Sequence, residues 1–266
     1  MKLSIGGIEA YAYTGGKPFD TALPCVVLIH GALNDHSVWT LLARWLAHHG
    51  HSVLALDQPG HGRSAGPVLA SIEALADWAL ALLDAAGAQR ASLVGHSMGS
   101  LIALEAAARA PGRIERLVMV GTAYPMKVSQ ALLDTARDAP LEAIDRVNAL
   151  SISSLASKPS HPGPGTWLHG ASRALMRRLQ RAHTEVNLFH HDFGVCDRYA
   201  GGLQAAAQVQ CPVSLILGER DQMTPPRATR DLAAALKARV RLLPAGHNLM
   251  QEQPDAMLEA LRAALA

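Results

Sequence analysis

The sequence predicts an α/β protein: a mostly parallel sheet with helices on both faces and a helical cap inserted into it. Continuous apolar runs of four to six residues recur and are separated by helix-length segments, the pattern of strands buried on both faces. One run, Ala91 to Gly95, passes straight into a helix-forming run through Gly95-His96-Ser97-Met98-Gly99. Between about Tyr124 and Val209 the alternation stops, and the pattern is helical without strands.

Taken in order, short strands are expected over Leu3 to Ile8 and Glu9 to Tyr13, with Gly6-Gly7 at the turn. Cys25 to His30 is a buried-type strand and Ser37 to His49 a helix, followed by a strand over Ser52 to Leu56 and a helix over Ser71 to Ala86. Ala91 to Gly95 is the next strand, Met98 to Arg109 its helix, and Ile114 to Val120 continues the alternation. After the break come strand Val213 to Gly218, helix Pro226 to Ala238, strand Val240 to Leu243 and a helix from about Gln253 to Leu265. Within the break, Lys158 to Gly165 is too rich in Pro and Gly for regular structure. This divides the chain into a core, 1–123 with 210–266, and a cap, 124–209.

Of 266 residues, 49% are hydrophobic and 17% charged, enough apolar material for a large core and unlike a disordered chain. The net charge of +2, with Lys and Arg scattered, gives no electrostatic case for nucleic acid. The N-terminus lacks the apolar core of a signal peptide and no run of about 18 apolar residues occurs, so a cytoplasmic protein with no membrane partner is expected. Cys25, Cys196 and Cys211 are an odd count without metal spacing. Of the 13 His, neither His48, His49 and His51 nor His190 and His191 beside Asp192 form a complete zinc pattern, so no metal or other cofactor is expected.

A strand that turns abruptly into a helix strains the turn residue and needs small neighbours two positions away, which Gly95 and Gly99 supply. The turn lifts the Ser97 hydroxyl off the sheet at the positive end of a helix. Serine is a poor nucleophile near neutral pH and needs a base, itself oriented by a third group. Those groups belong at the carboxyl ends of strands. Asp221 follows the strand ending at Gly218, with Glu219 an alternative acid, and His247 follows the strand ending at Leu243. A tetrahedral oxyanion needs N–H donors: Met98 at the helix start supplies one, and Ala32, after His30-Gly31, is assigned as the other.

At this point the sequence resembles the α/β-hydrolase superfamily along nearly its whole length. His30-Gly31, Asp57-Gln-Pro-Gly-His-Gly-Arg-Ser64, Gly95 to Gly99, Gly218 to Asp221 and Gly246-His247 carry the resemblance, in order. It implies an eight-stranded sheet, a cap over the site and cofactor-free hydrolysis through an acyl-enzyme, in the manner of capped esterases and lipases or carbon–carbon bond hydrolases. It also implies that Asp57 and His61 order their loop near the site. Ser at position 97 speaks against dehalogenase and epoxide hydrolase chemistry, and Ser100, where carbon–carbon bond hydrolases often have a second Gly, leans towards esters.

The expected activity is therefore hydrolysis of a carboxylic ester or related acyl bond of a small, largely apolar substrate by Ser97, His247 and Asp221. Carbon–carbon bond hydrolysis and lactone hydrolysis use the same residues, and a small-molecule receptor could keep them. His30 is expected to brace the donor loop and His96 to pack under the turn. Trp167, Met176, Phe189, His190 and Phe193, with Leu33, are candidates for an acyl pocket, or pack the cap against the core. Arg173, Arg177, Arg178 and Arg181 share a helix face that is either solvated or holds a substrate carboxylate. A monomer or homodimer is expected.

Overall fold

The computed structural model describes residues 1–153, 167–183 and 185–266, so the predicted loop Lys158 to Gly165 lies outside the described residues. Strands β1 (Lys2–Ile5), β2 (Ile8–Tyr13), β3 (Cys25–Ile29), β4 (Ser52–Leu56), β5 (Ala91–His96), β6 (Ile114–Val120), β7 (Val213–Gly218) and β8 (Arg239–Leu243) form one eight-stranded sheet in the order 1-2-4-3-5-6-7-8. The β1–β2 and β2–β4 pairs are antiparallel. From β4 to β8 every pairing is parallel.

Side chains alternate between two apolar layers, as the two-residue strand period demands. Val27, Ile29, Leu54, Leu56, Leu117, Met119, Leu215 and Leu217 face one layer. It is built with α2 (Ile72–Ala85), α3 (Met98–Arg109), α8 (Gly202–Ala206) and α9 (Arg230–Ala235). Val26, Leu28, Val53, Ala55, Val118, Val120 and Ile216 face the other, with α1 (Thr40–His48), α10 (Leu249–Glu252) and α11 (Pro254–Leu265). The sheet is thus covered on both faces, which explains the continuous apolar runs.

Two predicted helices are divided, and a third, the last, is found as predicted. The first opens as a 3-10 turn over His36–Trp39 before α1, because Asp35 caps it by accepting the Ser37 N–H. The helix predicted over Pro226 to Ala238 is a 3-10 turn, Pro226–Thr229, then α9, and Lys237 at φ 48° lies beyond its end. The last is preceded by the separate α10, and Pro254 at the first turn of α11 lacks the N–H that would continue the earlier helix.

Between β6 and α8 lie α4 (Gln130–Asp138), α5 (Pro140–Ser151), α6 (Leu168–Ala182) and α7 (Leu188–Arg198). They bury an apolar cluster of their own, including Ala136, Ile144, Val147, Met176, Leu188 and Phe189. Helix α8, predicted as part of the cap, packs instead on α3, with Ala205 and Ala206 in the layer beneath the sheet. Its five residues are too short to show a helical period in the sequence. Among the described residues no helix is long and apolar enough to cross a membrane.

Candidate active site

Ser97 ends β5 and begins α3 at φ 53° and ψ −122°, a left-handed conformation that a side-chain-bearing residue rarely adopts. The packing leaves no alternative. A Cβ on Gly95 would lie 2.1 Å from the Gly99 carbonyl oxygen, and one on Gly99 would lie 2.4 Å from that of Ile29. The Ser97 N–H donates to the Val120 carbonyl at 2.9 Å, tying the turn to β6. Ser100, fully buried, donates its hydroxyl proton to the Ser97 carbonyl at 2.6 Å and accepts that of Thr122 Oγ1 at 2.7 Å. Position 100 therefore serves the turn.

Asp221 and His247 meet beyond the ends of β7 and β8. His247 Nδ1–H donates to Asp221 Oδ2 at 2.8 Å, which makes the other ring nitrogen, Nε2, the basic one. Asp221 is fully engaged: Oδ1 accepts the Met223 and Thr224 N–H groups at 2.8 Å each, and Oδ2 also accepts the Thr224 hydroxyl at 2.7 Å. Burial works against its charge, but His247 and these donors outweigh burial and hold the carboxyl well below the usual carboxylate range. Glu219, the alternative acid, has an exposed side chain.

The His247 backbone is fixed from α5: the N–H groups of His247 and Asn248 both donate to the Ser151 carbonyl at its end, at 2.9 and 3.1 Å. Beneath it, His96 donates Nε2–H to the His247 carbonyl at 2.9 Å, with the two rings 4.7 Å apart. Burial, then the nearby His247, pushes His96 down to about 3, so it is a neutral strut. His96 and His247 both press on Gly121, where an added Cβ would lie 3.3 Å from the first and 3.4 Å from the second.

On the opposite side runs the loop 30–35. His30, fully buried, donates Nδ1–H to the Gly31 carbonyl at 2.9 Å and accepts the Gln58 N–H at Nε2. The Gly31 carbonyl shares a peptide plane with the Ala32 N–H, so His30 orients that candidate donor. Gly31 is required for close approach, since a Cβ there would lie 3.0 Å from the Ser97 Cβ. The Met98 N–H belongs to the first turn of α3, where amides have no partner within the helix. Asp57 accepts His36 N–H and Nδ1–H and the Arg63 N–H, which orders the loop 57–64. Asp35, His36 and Asp57 could group around a cation, yet Asp35 is already paired with Arg178 at 2.7 Å and Asp57 with His36 at 2.8 Å.

Ser97 and His247 line one cavity with Ala32, enclosing about 650 Å³ of non-atom space with its mouth included. Met176 and Phe193 line it as well. Leu33 and Phe189 do not: both are fully buried in the cap cluster, Phe189 stacked on Phe193 at 4.4 Å. His190 lies outside the lining, its N–H capped by Asn187. Trp167, 45% exposed, borders an outer groove with Arg173, Arg177, Arg178 and Arg181, so that arginine face is turned away from the cavity. The sequence offered these residues either as pocket lining or as packing, because periodicity in this segment does not give side-chain directions. Reading the sequence also missed Asn34, Lys127, Ser151, Ser172, Cys196, Thr224 and Asn248 around the cavity. Of these only Thr224 had a local signal, an Asp-x-x-Thr turn after a strand.

Comparison with known proteins places this geometry in a family. The chain is similar to the enol-lactonase from Burkholderia xenovorans LB400, with a TM-score of 0.83 and 26% identity, over 100% of this chain and 99% of that one. It is 38% identical over 110 residues, 41% of its length, to the dihydrolipoyllysine-residue acetyltransferase component of the acetoin cleaving system of Pseudomonas putida. It is 32% identical over 100 residues, 37% of its length, to the (E)-2-((N-methylformamido)methylene)succinate hydrolase of Acinetobacter baylyi. These matches span 28% and 38% of the two relatives. The profile of the alpha/beta hydrolase fold matches residues 24–254, and with the eight-stranded sheet and the β5–α3 turn it shows that the chain belongs to the alpha/beta hydrolase fold family.

Proposed function

We propose that the protein is a serine hydrolase that cleaves a carboxylic ester or related acyl bond of a small, largely apolar substrate. The observation that carries this is His247, held by the buried Asp221, lining one cavity with the strained Ser97. Ser97 Oγ attacks the carbonyl carbon while His247 Nε2 takes its proton and Asp221 steadies the imidazolium. The Ala32 and Met98 N–H groups receive the oxyanion, each such donor contributing about 3 kcal/mol in the transition state. His247 then returns the proton to the leaving oxygen, and the same base activates water to release the acid.

Residues 124–209 act as the cap in this reading, with Val147, Met176 and Phe193 forming an apolar acyl wall. The substrate is a small molecule, no cofactor is needed, and the three unpaired cysteines fit a reducing cytoplasm. Lactones are the second reading, supported by the likeness to the enol-lactonase at 26% identity. Ring opening keeps the leaving alcohol tethered but asks the same of Ser97. Ser97→Ala is expected to remove nearly all turnover of short p-nitrophenyl esters and of lactones while leaving the circular dichroism spectrum intact. Turnover like that of the wild type in this variant would refute the assignment, and the ratio of ester to lactone rates separates the two readings.

A further inference from the structure

The loop that offers Ala32 is anchored by a residue of the cap. Asp192 lies on α7, 131 residues from His61 and 159 from Leu33, yet its Oδ2 accepts His61 Nε2–H at 2.9 Å and the Leu33 N–H at 2.8 Å. All three residues are buried. Leu33 holds φ 52°, costly for a branched side chain, and its side chain is enclosed by the cap cluster. The Asn34 side chain donates to the Ala32 carbonyl at 3.0 Å. The Ala32–Leu33 peptide plane is therefore held at its N–H by Asp192 and at its C=O by Asn34, while His30 holds the preceding plane.

His61 also donates Nδ1–H to the Pro59 carbonyl at 3.1 Å. Both ring nitrogens face groups that only accept, so the ring carries both protons and meets Asp192 as a cation. Asp57 adds attraction, and the His30 ring, 5.2 Å away, is held neutral by burial. Burial disfavours charge on both partners, but their mutual attraction wins: His61 is raised and Asp192 lowered. A buried pair of this kind keeps a carboxylate in one place. The same helix presents Phe193 and Cys196 to the cavity, so one rigid element carries part of the acyl wall and the anchor of the donor loop.

We propose that Asp192 is a positioning residue for oxyanion stabilisation: through the Leu33 amide it holds the Ala32 N–H where the oxyanion forms. This inference rests on the serine-hydrolase reading. An anchor of the oxyanion donor acts on the transition state more than on bound substrate, so its loss appears in kcat and not in KM.

The test uses the full chain with Asp192→Ala, Asp192→Ser and Asp192→Asn, each checked by circular dichroism and assayed on short p-nitrophenyl esters. Asp192→Ala or Asp192→Ser is expected to lower kcat about tenfold or more with KM within about twofold, a part of the loss seen when a donor is removed outright. Labelling by a fluorophosphonate slows in parallel. Asp192→Asn recovers most of kcat, because its carbonyl oxygen still accepts the Leu33 N–H. The proposal is overturned if kcat is unchanged in both smaller variants, if the loss lies in KM, if Asp192→Asn fares no better than Asp192→Ala, or if neither smaller variant folds. A wild-type protein that neither turns over esters nor reacts with the probe sinks the hydrolase reading and this one with it. Active wild type with an insensitive Asp192 sinks this one alone.

Discussion

The proposed chemistry rests on one residue's conformation: Ser97 at φ 53° is held by the close approach of Gly95 to Gly99 and of Gly99 to β3. Its partners depend on Asp221, whose four hydrogen bonds leave the carboxylate no freedom to rotate. Asp221→Asn keeps the shape but can donate where it should accept, favouring the wrong His247 tautomer. Its kcat on esters is expected to fall by roughly 10⁴-fold with the fold intact, and a loss under about tenfold would show that Asp221 does not orient His247. Ser97, Asp221 and His247 were legible in the sequence as candidates because each lies just beyond a strand: Ser97 follows β5 directly, and Asp221 and His247 sit in the short loops after β7 and β8. Asp192 was not. It sits mid-helix in a His-rich stretch, and its partners His61 and Leu33 are 131 and 159 residues away.

At the scale of the element, the β5–α3 turn is set by packing, whatever chemistry it serves. Gly99→Ala would place a methyl group 2.4 Å from the Ile29 carbonyl and 2.5 Å from that of His30. Backbone on both sides cannot yield, so a loss of about 1–3 kcal/mol or more is expected in urea unfolding, with activity lost beyond it. A variant as stable as the wild type would mean that α3 does not press on β3 as described. The parallel strands were legible because both faces are buried and the apolar runs are unbroken. The segment between β6 and α8 was legible only as helices. Met176 and Phe193 reach the cavity whereas Phe189, Leu33, His190 and Trp167 do not, and that division depends on how α6 and α7 lean on the core. Helix α8, within the span 124–209, packs on α3, a contact that chain order does not reveal for a five-residue helix.

The molecule as a whole carries buried histidines of opposite sign. Burial and then His61 push His30 down from 6.5 to about 4, and burial and then His247 push His96 from 6.5 to about 3. As pH falls below 6.5 the unfolded chain takes up protons that the folded one refuses, so stability declines by about 1.4 kcal/mol per pH unit for each histidine. His61 works the other way. Burial opposes its charge but Asp192 raises it overall, so its contribution is complete below 6.5 and is lost as pH rises through the folded value. Urea unfolding from pH 4.5 to 8 is expected to show greatest stability near pH 6.5, with a fall on both sides; stability that rises on acidification to pH 4.5 would contradict the neutral state of His30 and His96. Core, cap and loops meet around Ser97, so the central claim is that this one serine is an activated nucleophile. Mapping a fluorophosphonate adduct by mass spectrometry tests it most directly. A single adduct is expected on the peptide bearing Ser97, absent in Ser97→Ala and strongly slowed in His247→Ala. An unmodified wild-type protein, or an adduct that persists in Ser97→Ala, would contradict it.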